Sequence, residues 1–138
     1  MTAWVCPNCG RSFGRANQPH SCTPSAPLDV ALAARPPEQR AIHEAVIAAL
    51  AGIGPIVVES VGKSVMIKRS RTFAEVIFKR DIVEIAFLLS REVESPRIVR
   101  TLQLSANRTA HVVHAADPSE VDAELRDWLT EAWASSPI

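Results

Sequence analysis

A chain of 138 residues and 15.0 kDa has the length of one domain with room for a small appendage. With 47% hydrophobic and 22% charged residues it is not a disordered chain, and 15 basic against 15 acidic side chains argue against a uniformly basic nucleic-acid coat or an acidic tail. No apolar run approaches the ~18 residues of a membrane span. The opening Met-Thr-Ala-Trp-Val-Cys has neither the basic start nor the apolar stretch of a secretion signal, so the expected location is cytoplasmic.

All three cysteines fall in the first 22 residues: Cys6-Pro7-Asn8-Cys9-Gly10, then His20-Ser21-Cys22. An odd count in a reducing compartment argues against a disulfide framework. Two thiolates separated by two residues grip one ion when the chain turns tightly between them. Pro7 pre-sets such a turn, and Gly10 lets the chain leave with a positive φ. His20 and Cys22, two apart, face one side of an extended segment. Four N/S ligands complete a tetrahedron, so Cys6, Cys9, His20 and Cys22 are expected to hold a structural Zn2+ with no position open to substrate. Iron sites more often use cysteine alone, and the alternative without metal is three buried thiols and a surface histidine. Residues 1–23 are too short to fold unaided, so the metal supplies their folding free energy. Trp4 and Phe13 are read as a miniature apolar core over the ion, with base stacking as the sharper alternative.

Residues 24–37, rich in proline and alanine, read as a linker, part of which is expected to lie against the main domain because Leu28, Val30 and Leu32 alternate within it. From Glu38 an apolar stripe of Ile42, Val46, Leu50 and Ile53 predicts a helix, opened by Pro37 and closed by Gly52 and Gly54. His43, on the flank of that stripe, is expected at the surface. Strands are predicted at 65–68, 72–78, 82–89, 97–104 and 109–115 from β-branched and aromatic runs between turn signals, with 82–89 central and an antiparallel meander as the arrangement. Asp117-Pro118-Ser119-Glu120 reads as a capping box opening a last helix with Val121, Leu125, Trp128, Leu129 and Ala132 inward. The expectation is therefore an α+β fold: a zinc knuckle (1–23), a linker (24–37), and a domain (38–138) of a helix, about five antiparallel strands and a C-terminal helix on one face.

Zero net charge conceals a polarity. Residues 1–62 balance, residues 63–108 carry ten basic against five acidic groups, and residues 109–138 carry one basic against six acidic. Lys68, Arg69, Arg71, Lys79 and Arg80 fall around the first two turns and form a candidate surface for nucleic acid or an acidic protein. Basic edge residues that merely block strand pairing are the plainer account. Gly62-Lys63-Ser64 lacks the earlier glycine and following helix of a phosphate-binding loop. His111 and His114, three apart on a strand, fall on opposite faces, with one packed near the C-terminal helix. Glu59, Lys63 and Glu75 are the polar groups of an alternative small-molecule or weakly catalytic site between sheet and helices.

These residues resemble a known family. Trp4-x-Cys6-Pro7-x-Cys9-Gly10-Arg11-x-Phe13 with Asn17-Gln18-x-His20-Ser21-Cys22 is similar to the N-terminal motif of uncharacterised bacterial proteins carrying domain of unknown function 5655. Gly54-Pro55, Glu59-x3-Lys63, Phe73-Ala74-x-Val76 and Asp122-x-Glu124-Leu125-x-x-Trp128-Leu129 extend the likeness over most of the chain. The resemblance implies a metal-binding knuckle and a small α+β domain, and no established reaction. The overall expectation is a zinc-binding, non-enzymatic protein with a partner-binding α+β domain.

Overall fold

The structure, a computed structural model, describes residues 3–20 and 27–136. Two short strands, β1 (Trp4–Val5) and β2 (Ser12–Phe13), pair antiparallel in the knuckle. Helix α1 (Leu28–Ala33) and helix α2 (Pro37–Ala51) follow. The sheet is then built from β3 (Val57–Val61), β4 (Ser64–Lys68), β5 (Thr72–Phe78), β6 (Val83–Leu89), β7 (Ile98–Ser105) and β8 (Arg108–Ala115). Helix α3 (Ala123–Ser135) closes the described chain, so the fold is α+β.

The six strands are all antiparallel in the order β3-β4-β5-β6-β8-β7. The first four form the expected meander, and β6 lies in the interior of the sheet. The last two depart from it. Residues 90–97 carry the chain past one position, β7 becomes the edge, and β8 returns between β7 and β6. β7 is exposed over nearly its whole length, whereas β8 carries the buried His111, Val112 and Val113. β8, whose core-side Thr109, His111, Val113 and Ala115 are all buried, gains from the interior slot; the polar Arg100, Thr101 and Gln103 of β7 suit an edge.

The core lies on one face of the sheet. Val65, Ile67, Val76, Ile85, Phe87, Leu89 and Val113 from the strands meet Ile42, Val46 and Leu50 of α2 and Leu125, Leu129 and Ala132 of α3. Full burial of each such side chain stabilises by about 1.5–3 kcal/mol, which is what holds two short helices on the sheet. Phe87 stacks at 5.5 Å on both Trp128 and the fully buried His111. His111 Nε2 accepts the Val93 backbone N–H at 2.9 Å, tying the 90–97 crossing to the core.

Four further expectations are corrected. Residues 24–37 are not linker throughout: Leu28 and Leu32, four apart, pack on the core from α1 and leave Val30 exposed. A sixth strand, β3, precedes the predicted five and pairs with β4 through the two-residue Gly62-Lys63 turn, where Gly62 has φ 58°. The Asp117 capping box is present but caps a single 3-10 turn (Pro118–Glu120). Helix α3 starts later, with Asp122 accepting from the Leu125 amide at 3.1 Å. His43 is buried, packed toward Phe78 with ring centroids 6.4 Å apart, because the face of α2 that meets the sheet is wider than its aliphatic stripe.

Candidate metal centre and the cleft beside it

The knuckle turns as its sequence directs. Cys6 N–H donates to the Arg11 carbonyl at 2.9 Å, Gly10 N–H donates to the Cys6 carbonyl at 2.8 Å, and Gly10 takes φ 75°. This loop brings Cys6, Cys9 and His20 together, with one ligand atom of each within 4.8 Å of the others. Cys9 Sγ and His20 Nε2 are 3.3 Å apart. Tetrahedral zinc, at about 2.3 Å from sulfur and about 2.0 Å from nitrogen, separates such a pair by about 3.5 Å, so the donor set fits the ion. Cys22, the fourth member of the motif, lies outside the described residues.

The electrostatics favour thiolate and a fixed imidazole. The Arg11 backbone amide beside Cys9 brings its thiol down to about 6, and the Arg11 guanidinium, Cys6 and His20 add to the effect. His20 Nδ1 contacts the Gln18 carbonyl at 2.6 Å, which leaves Nε2 toward the sulfurs and pushes the ring above its ordinary value. Phe13 lies over His20 at 4.2 Å and Trp4 at 5.9 Å from Phe13, so these aromatics form the small core over the donors.

A second set of contacts fastens the knuckle to the sheet. Lys68 and Glu59 are a buried ion pair at 3.0 Å, with side chains 6% and 14% exposed. The Ser12 amide donates to Glu59 Oε1 at 3.0 Å, and Lys68 Nζ donates to the Ser12 carbonyl at 2.5 Å. Lys68 also lies 4.4 Å above the Phe13 ring. Gly14 packs against Ser70 and Arg71, where a Cβ would stand 3.7 Å from the Ser70 carbonyl oxygen.

The sheet face opposite the helices is open, and the knuckle walls part of it. A cleft of about 480 Å³ runs there, lined by Arg11, Phe13 and Gly14 of the knuckle, by Met66, Phe73, Glu75 and Leu88 of the sheet, by Leu102 of the edge strand and by Arg108 at the start of β8. Further along the same face, Glu84 is buried and bound by Arg100 through two hydrogen bonds of 2.8 and 2.9 Å, with His114 at 3.0 Å and Lys79 at 4.0 Å. The Arg100 guanidinium holds the Glu84 carboxyl down at about 2, and His114 and Lys79 act in the same direction. Local sequence does not single Glu84 out, since its partners come from three other places in the chain.

The other sequence candidates separate. Glu59 pairs with Lys68 rather than with the exposed Lys63 of the hairpin turn. Glu75 lines the cleft on its own strand. Arg69 stacks over Trp133 at 3.8 Å and donates to its carbonyl at 3.1 Å. Arg71 stands at one end of β5, and Lys79 and Arg80 at the other, roughly 25 Å away along an extended strand. His114 and His111 fall on opposite faces, with His111 in the core and His114 on Glu84.

An α+β domain carrying a docked Cys/His knuckle is thus the class that fold and site define. The chain belongs to the family described as domain of unknown function 5655, whose model matches residues 29–136. No curated protein and no solved structure matches it. No helix among the described residues is long and apolar enough to cross a membrane.

Proposed function

We propose that the chain is a non-enzymatic binding protein in which a structural zinc ion, held by Cys6, Cys9, His20 and Cys22, folds the knuckle as one wall of a ligand cleft. The ion supplies folding free energy and, with four protein ligands, keeps no position for substrate. One observation carries this reading: the knuckle's docking contacts and the cleft wall coincide, since Ser12 is held by Glu59 and Lys68 while Arg11, Phe13 and Gly14 line the cleft. The polar groups of the small-molecule reading divide accordingly. Glu59 positions the knuckle, and Glu75 faces the ligand. A cytoplasmic location suits thiolates kept for metal.

Recognition of nucleic acid through the basic turns has weaker support. Lys68 and Arg69 are engaged within the molecule, and the remaining cations lie at opposite ends of β5. The test has two arms. Elemental analysis of protein prepared without chelators should find about one zinc per chain, and Cys9→Ser should remove it. Chemical-shift mapping with mixed metabolites should then perturb Met66, Phe73, Leu88 and Leu102. Perturbation by oligonucleotides confined to Lys79 and Arg80, with the cleft silent, would favour the other reading.

A further inference from the structure

The cleft is cationic at one end and apolar beyond it. Arg71 leaves the turn between β4 and β5, Arg108 opens β8, and both line the same end. Arg108 Nη2 reaches the Thr72 carbonyl at 3.4 Å, which sets its guanidinium beside the Arg71–Thr72 backbone. Neither arginine has a carboxylate within ion-pair distance among the described residues, whereas Arg91, Arg97 and Arg100 all do. Burial and the neighbouring Arg71 charge push the Arg108 guanidinium below its usual value.

Beyond the arginines the wall is apolar. Phe73 forms a fully buried floor, Met66 and Leu88 flank it, and the edge strand contributes Leu102 and Leu104, which are 63% and 52% exposed. Leucines left that open on a cleft wall gain from being covered. Glu75 stands four residues along β5 from Arg71, about 13 Å at strand spacing. The volume of about 480 Å³ is that of a small-molecule site rather than a polymer groove.

Resting on the binding reading above, we propose that the cleft takes a small amphipathic molecule with one anionic end. Its carboxylate or phosphate group sits between Arg71 and Arg108, and its apolar body lies along Phe73, Leu88 and Leu102, stopping short of Glu75. Paired guanidiniums bind such oxyanions through several charge-assisted hydrogen bonds at once. Glu75 sets the polarity, because a second anion at the far end would meet a like charge.

Calorimetric titration of the zinc-loaded full chain with octanoate, octyl phosphate, octanedioate and octyl glucoside tests this. Octanoate or octyl phosphate should bind at one site, and which binds more tightly separates the carboxylate source from the phosphate source. The exposed Arg71→Gln change, and its combination with Arg108→Gln, should weaken the anions by about tenfold or more and leave octyl glucoside unchanged. Octanedioate should bind more weakly than octanoate, and Glu75→Gln should restore it. If the anions bind no better than octyl glucoside, the anion assignment is wrong and the cleft reading stands. If none of the four probes binds, both fail. Self-association that octanoate does not reverse would give the cleft to a second copy of the chain and also overturn the proposal.

Discussion

Lys68 joins groups that lie far apart in the chain. Its ammonium reaches Glu59 on the neighbouring strand, the Ser12 carbonyl in the knuckle and the face of Phe13. A buried charge stripped of its partner is far costlier than a buried pair replaced by neutral groups. Lys68→Ala should therefore lower unfolding stability by about 3–5 kcal/mol, while the pair Glu59→Gln/Lys68→Met should recover most of the loss in urea titrations. Equal losses in both would show that the ion pair does not carry the docking. The buried histidines act through pH. Burial lowers the pKa of His43 and of His111, so the unfolded chain takes up their protons first as pH falls. Their contribution is complete above the ordinary imidazole value near 6.5 and declines below it. Protonating His111 also removes the acceptor of the Val93 amide. The Glu84 contribution, with its carboxyl at about 2, persists to lower pH and fails only between roughly 4.5 and 2. Urea midpoints should fall between pH 7 and 5, and His43→Leu should flatten part of that slope. A midpoint constant across the range would contradict the burial of neutral imidazoles.

Among the elements, the junction of α2, β3 and α3 is the most constrained. A Cβ on Gly54 would stand 2.2 Å from Trp133 Cζ2, and the ring cannot swing aside freely. Trp133 Nε1 donates to the Pro55 carbonyl at 3.2 Å, and Arg69 covers the ring at 3.8 Å. Gly54→Ala should cost about 1–3 kcal/mol and lower the melting temperature by several degrees. Gly52→Ala, where a Cβ meets nothing within 4 Å, should be neutral. Matching melts for the two variants would show that the ring does not pin this corner. The helices α2 and α3 and the strands β4, β5 and β6 were legible because their apolar periods are long and bounded by proline, glycine or a cap. Strand β3 is five residues long, and only the Gly62-Lys63 turn after it signals a hairpin. The alternation of Leu28, Val30 and Leu32 resembled extended chain, yet the i, i+4 pair within it was the side that packs. Asp117 and Asp122 are both good caps, and local sequence does not say which opens the longer helix. The Cys/His donors were legible because their spacing is local. The Glu59–Lys68 clamp and the Arg71–Arg108 pair were not, because strand register alone brings them together.

At the scale of the whole molecule, two arginines of the basic middle hold three carboxylates of the acidic end. Arg91 pairs with Glu131 at 2.9 Å, and Arg97 bridges Asp122 and Glu124 at 2.8 and 3.2 Å, so the acidic helix is bound by the segment whose charge it opposes. On the proposed reading, the cationic end of the cleft is left for a ligand, beside a knuckle that a bound metal would fold. Removing the ion with a strong chelator should therefore release the Trp4 and Phe13 cluster and the cleft wall, while the core of α2, α3 and the sheet stays folded by far-UV circular dichroism. Unfolding of the whole chain on chelation would place the metal's role in the main domain instead. A four-ligand structural zinc leaves a direct signature in X-ray absorption at the zinc edge of the purified protein. Three sulfurs at about 2.3 Å and one nitrogen at about 2.0 Å are expected; an absence of zinc, or a first shell dominated by oxygen, would rule such a site out.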